Sequence, residues 1–135
     1  MDFTVTCYED KGYCLVKTTG KTSIQDIEKI LVEVFSNSSW RVGMHLLFDN
    51  REEILDDLSN IEVQLIAQVF TQFNEQLNNS KIALVMPKDL GYGIARMWET
   101  YTSLNERAFL TKVFRKVEKA REWIEEKDTQ TSDSD

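Results

Sequence analysis

Apolar and polar residues alternate over residues 3–8 and again over 13–19, on either side of the tetrapeptide E-D-K-G. This period of two predicts a β-hairpin with one covered and one wetter face. The period then lengthens. Ile24, Ile27, Leu31, Val34 and Phe35 recur at helical spacing behind two alternative caps, Thr22 with Gln25 and Ser23 with Asp26, which predicts a first helix ending within residues 36–39. M-H-L-L-F-D at 44–49 is nearly all apolar with a polar stop, as expected for a strand covered on both sides, and the charged stretch 50–57 reads as a connection. S-N-I-E at 59–62 has the form of a capping box, flanked by Leu58 and Val63 as a hydrophobic staple.

The helix after that box is predicted to present Leu65, Ile66, Val69, Phe70, Phe73 and Leu77 on a face wide enough to cover a sheet. N-N-S at 78–80 ends it. Residues 82–86 form a second buried strand, closed by Pro87, which lacks a ladder donor. A third helix over 92–104 should bury Ile94, Met97, Trp98, Tyr101 and Leu104 and turn Arg96 and Glu99 outward as an i, i+3 ion pair. Residues 109–114 form the last strand, and a final helix aligns Val117, Ala120 and Ile124 with Trp123 at the margin. Strands alternating with helices imply parallel pairing through right-handed crossovers.

The block G-Y-G-I-A-R-M-W-E (91–99), followed by V-F-R-K-V-E-K-A-R-E-W-I (113–124), resembles small stand-alone domains of the SpoIIAA-like family, related to the STAS and CRAL-TRIO folds. The resemblance spans residues 1–125. It implies an α/β fold, a single-layer mixed five-stranded sheet with four helices in the order ββαβαβα, and leaves 126–135 as a disordered acidic tail. Kinship with STAS domains implies a non-catalytic regulatory or protein-interaction module. STAS anti-sigma antagonists exchange partners through a phosphorylatable hydroxyl at the helix start after the strand equivalent to 44–49. Here residues 50–58 contain no hydroxyl and Ser59 is accounted for as an N-cap, so phosphorylation switching is not expected. Kinship with the CRAL-TRIO fold implies the alternative, a small-molecule or lipid site in an apolar cavity lined by Phe70, Phe73, Trp98 and Tyr101.

With 135 residues the chain has the size of one domain, and one of this size buries roughly two thirds of its unfolded surface. The formal charge is −7, of which residues 125–135, with five acids and one lysine, supply −4. The remaining body is only mildly acidic, lacks a basic stripe and is not expected to bind nucleic acid. The longest apolar run, 82–86, is far short of a membrane span. The first ten residues lack a basic start and an apolar core, so a cytoplasmic location is expected.

Cys7 and Cys14 flank the hairpin turn. A four-residue turn with Gly12 left-handed sets them opposite each other, and a three-residue turn with a glycine bulge sets them on opposite faces. For a cytosolic chain, two reduced thiols are expected over a disulfide.

Chemistry-bearing motifs are few. The single histidine, His45, stands near the start of a buried strand and reads as structural, since a triad needs a histidine in a cleft and a zinc site needs further ligands. No Walker loop or G-x-G-x-x-G occurs, because Gly91-Tyr92-Gly93 is followed by I-A-R. No catalytic residue, metal site or cofactor is therefore expected. What remains is positional: ligands of open α/β sheets bind beyond the carboxyl ends of the parallel strands. Asp49 and Arg51 follow one such end and Lys88 the next, and Gly91 and Gly93 bring backbone N–H groups to a helix start. Arg51, Lys88 and that helix start form a candidate grip for a carboxylate or phosphate, and the edge 49–55 with 88–96, including Arg96, is the candidate face for a protein partner or a small anionic or apolar ligand. The competing reading is solvated loop charges beside glycines that merely ease entry to a helix. Ile54 and Leu55, inside R-E-E-I-L-D-D, are expected to fold back onto the core or to meet a partner.

Overall fold

The computed structural model describes residues 1–104 and 108–126, and the expectation of a disordered tail falls largely on 127–135, outside them. Strands β1 (Asp2–Tyr8) and β2 (Tyr13–Lys21) precede helix α1 (Ile24–Ser36). There follow β3 (His45–Ile54), α2 (Asn60–Thr71), β4 (Lys81–Val85), α3 (Asp89–Leu104), β5 (Leu110–Phe114) and α4 (Val117–Glu125). Written out, five strands and four helices give ββαβαβαβα, one βα unit longer than the string read from the sequence.

One sheet holds the strands in the order β1-β2-β3-β4-β5, with β1 antiparallel to β2 and every later pair parallel. Each crossover moves one strand in the same direction, so right-handedness places α1, α2 and α3 on one face. There Ile30, Leu31, Ile66, Phe70 and Trp98 pack on Val16, Leu46, Phe48 and Ile82. The other face is covered by α4, whose Ala120 and Ile124 meet Tyr13, Leu47, Ala83 and Val85. The alternation Leu46–Leu47–Phe48 thus feeds two cores, as a strand covered on both sides requires.

Several expectations change at element ends. The hairpin adopts the four-residue turn, with Gly12 left-handed at φ 76°. Cys7 then faces Cys14 directly, and the two form a disulfide with Cα atoms 3.9 Å apart. Two reduced thiols were expected; the register, which the sequence left open, brings them together instead. β3 runs on through residues 50–54, which the charge run had marked as a connection. The reason is its neighbour: β2 is long enough to pair Thr19 with Glu52, Gly20 with Glu53 and Lys21 with Ile54, after a register shift between Lys17 and Thr19.

In α2 the capping box forms as read, Ser59 Oγ accepting from Glu62 N at 3.2 Å and Glu62 Oε1 from Ser59 N at 2.9 Å. Regular helix stops at Thr71, before the expected 77, yet Leu77 is fully buried through the turns that follow. Leu65, assigned to the covered face, is 40 % exposed. α3 begins at Asp89, so Gly91 and Gly93 stand inside its first turns instead of leading into it. Its buried stripe is Ala95, Trp98 and Thr102, whereas Leu104 is 77 % exposed. The stripe is rotated by about one residue from the apolar set, because Ala95 and Thr102 are small enough to sit closest to the sheet.

Candidate binding site

β4 ends at Val85 opposite Asp49 while β3 runs on to Ile54, and this last stretch of β3 with the loops leaving the two strands encloses a cleft of about 310 Å³. Arg51, Ile54 and Asp56 form one bank and Pro87, Lys88, Leu90 and Gly91 the other. Ile54 is 45 % and Leu90 56 % exposed, so each bank presents an apolar side chain to the cleft, while Leu55, next in sequence, turns in and is buried. Of the I-L pair, Leu55 folds back onto the core and Ile54 stays exposed. Lys88 is exposed and forms no ion pair among the described residues.

Arg51 is differently placed from the expectation. Its Nε donates to Asp49 Oδ1 at 2.8 Å and its NH2 to Oδ2 at 2.7 Å, a bidentate clasp between side chains two residues apart on one strand. Arg51 holds the buried Asp49 carboxyl below the usual carboxylate range, and Asp49 in turn raises the guanidinium. An anion grip built on Arg51 would have to break that pair, so of the two expected cations Lys88 is the one at hand. Gly91 lines the cleft, and a Cβ there would come within 3.1 Å of Met86 Cε, the flexible tip of that side chain. Gly93 faces open space. Arg96 lies outside the cleft, paired with Glu99 Oε1 at 3.1 Å, while Glu99 Oε2 accepts from Val113 N of β5 at 3.1 Å. The Arg96–Glu99 pair thus has a tertiary purpose beyond the surface contact expected of it.

Arg115, which the sequence did not single out, pins the start of α3. It donates to Pro87 O at 3.1 Å and Asp89 Oδ1 at 2.7 Å, and its guanidinium lies 4.2 Å from the Tyr92 ring centre. His45 accepts from Lys81 N through Nδ1 at 2.9 Å, a strand-to-strand contact. Lys81 is itself buried and donates to Trp123 O and Glu126 O, closing the C-terminal end of α4.

Behind the cleft lies a second space, an apolar cavity of about 50 Å³ between the sheet and helices α1, α2 and α3. Phe48, Phe70, Leu84 and Trp98 are among its walls; Phe73 and Tyr101, also expected there, are not. Phe73 instead packs on Phe35, with ring centres 5.3 Å apart, and Tyr101 donates to Asn60 Oδ1. Asn50, Glu53 and Leu55 line both spaces and form the partition between them.

Glu53 organises that partition. Its Oε1 accepts from Thr18 Oγ1 at 2.6 Å and from Asn50 Nδ2 at 2.7 Å, and its Oε2 accepts from Thr22 Oγ1. Loss of solvent around the carboxyl pushes its pKa up, and these three donors oppose the rise without cancelling it. Sequence reasoning missed Glu53 because a loop was expected where the strand continues. Once residues 50–54 are strand, the facing of Glu53 toward Thr18 follows from the β2–β3 register.

The architecture and the crossovers define a mixed α/β domain with the SpoIIAA-like fold. The chain is similar to the crystal structure of an uncharacterized protein of the DUF3478 family with a SpoIIAA-like fold from Shewanella loihica PV-4, at 17% sequence identity over 91% of this chain and 92% of that one, with a TM-score of 0.58. At that identity the likeness concerns the fold alone, and it agrees with the resemblance read from residues 91–99 and 113–124. No family model and no curated protein matches the chain. Among the described residues no helix is long and apolar enough to cross a membrane.

Proposed function

We propose that the chain is a non-catalytic interaction module that docks a partner protein on the carboxyl edge of its sheet. The observation that carries this reading is the pair of exposed apolar side chains, Ile54 and Leu90, on opposite banks of one cleft with Lys88 beside them. A partner that inserts an apolar side chain between the banks and sets a carboxylate against Lys88 matches both features. Both nearby arginines are paired, Arg51 with Asp49 and Arg115 with Asp89, which suits a preformed surface. Both oxygens of Glu53 are engaged by Thr18, Thr22 and Asn50, an arrangement that favours a positioning group over proton transfer.

The test is site-specific photo-crosslinking in the source cell, with the photoreactive residue at position 90 or, at the amino end of β3, at position 42. A discrete protein adduct from position 90 and none of the same mass from position 42 is expected. Equal adducts from both positions, or none from position 90, would overturn the reading.

A further inference from the structure

The sheet has two lateral edges, β1 and β5, and they are finished differently. On β5 the N–H of Val113 is taken by Glu99 Oε2 of α3 at 3.1 Å, and the exposed Lys112 places a charge on the same strand. A side chain in the place of a ladder partner and a lysine both keep a further strand off. β1 has neither: D-F-T-V-T-C-Y holds no proline or basic residue and pairs with β2 without a bulge from Asp2 to Tyr8. Its free groups can be named. Cys7 and Cys14 have Cα atoms 3.9 Å apart, which marks the close, non-hydrogen-bonded pair of an antiparallel ladder, at about 4.5 Å against about 5.5 Å for the bonded kind. Alternation then turns the N–H and C=O of Phe3, Val5 and Cys7 away from β2, and among the described residues no loop backbone or side chain bonds to them.

We propose that β1 is a homodimer interface, at which a second copy of this chain adds its own β1 antiparallel and joins the two sheets into one. The strand is self-complementary in one register. Val5 is the middle residue of β1, so a two-fold axis through it sets Val5 on Val5 and Phe3 on Cys7, and each residue with free backbone groups meets another that has them. Moving the axis one residue to Thr4 leaves the free groups of Cys7 beyond the end of the facing strand. On the α1 side of the sheet Phe3, Val5 and Cys7 are half-buried against the main core, and the two copies cover what is left exposed. On the other side Thr4 meets Thr6, a favourable cross-strand pair, and Asp2 meets Tyr8, so the one charge of the strand does not face its own copy. This symmetry about Val5 selects a second copy over an unrelated extended segment. β2 separates β1 from β3, so the interface neither uses the cleft nor rests on docking there.

The test is sedimentation equilibrium of the purified full chain over a range of concentrations, with the Cys7–Cys14 disulfide intact and with two double variants at the exposed Thr4 and Thr6. The wild type should associate to twice the chain mass of 15.7 kDa and no further. Thr4→Lys with Thr6→Lys sets like charges together on both sides of the axis and should weaken association roughly 5- to 10-fold, whereas Thr4→Lys with Thr6→Glu sets opposite charges together and should keep it. A wild type that stays monomeric or grows beyond a dimer, a first variant that associates like the wild type, or a second variant that loses association would each overturn the proposal. The wild-type mass and the second variant decide the matter even where the first fails to fold.

Discussion

Asn50 donates its amide to Glu53 at 2.7 Å, and the two side chains stand together in the wall that separates the edge cleft from the apolar cavity. The contact spans three residues within β3 and is completed by Thr18 and Thr22 at the neighbouring strand, so it exists only because β2 and β3 stay paired past the register shift at Lys17. The geometry of the proposed site therefore rests on strand length, not on a motif.

The raised pKa of Glu53 gives the stability a recognisable pH dependence. A carboxyl raised in the folded state contributes stability below its unfolded value, and that contribution is lost as pH climbs through the folded value. Asp49, lowered by its hydrogen bonds from Arg51, acts in the opposite sense, contributing above the ordinary carboxylate range and losing that contribution in acid. In Glu53→Gln the first effect disappears and the second stays. The melting temperature of the variant minus that of the wild type should therefore increase between about pH 4 and pH 7, whatever constant offset the amide introduces. A flat or falling difference in a pH series of thermal melts would show that Glu53 ionises without penalty.

Trp98 carries the packing of α3. Its ring meets Phe70 edge-on with centres 5.1 Å apart, and Trp98→Ala should cost about 3–5 kcal/mol in denaturant melts, the range for deleting a buried large aromatic. Leu104→Ala, on the same helix and in the apolar set of the sequence, should cost less than about 0.5 kcal/mol because the side chain is 77 % exposed. Comparable losses would mean that the helix faces are wrongly assigned.

Most of the fold was legible because period, caps and stops agree: the hairpin, the Ser59–Glu62 box, the five strands and four helices and their alternation all stand. The misreadings share a cause. Glu52 and Glu53 look like loop residues until the length of β2 is known, Leu104 looks like core until Ala95 and Thr102 are seen nearest the sheet, and Cys7 meets Cys14 by virtue of a turn type that the sequence allowed but did not require. Of the residues that the carboxyl-edge rule named, Arg51, Lys88 and Gly91 line the cleft and Asp49 pairs with Arg51. Arg115 and Glu53 were not among them, since each works through a partner more than twenty residues away, at Asp89 and at Thr18.

The disulfide makes a direct prediction. Protein unfolded without reductant should leave Cys7 and Cys14 unmodified by iodoacetamide, and reduction should make both reactive, as read by intact mass. Reduction should also lower stability by about 2 kcal/mol, the low end expected for so short a loop. Alkylation before reduction would show free thiols.

The most direct measurement of the central claim is native mass spectrometry of protein purified from its source, as wild type, as the double variant Lys88→Ala, Leu90→Asp at the edge, and as Val42→Asp at the opposite end of β3. All three should melt within a few degrees of one another, since the altered side chains are exposed. The account predicts a protein complex with the wild type and with Val42→Asp that the edge variant loses. A complex that survives the edge variant, one that only Val42→Asp disrupts, or a wild type that carries no protein partner would contradict it.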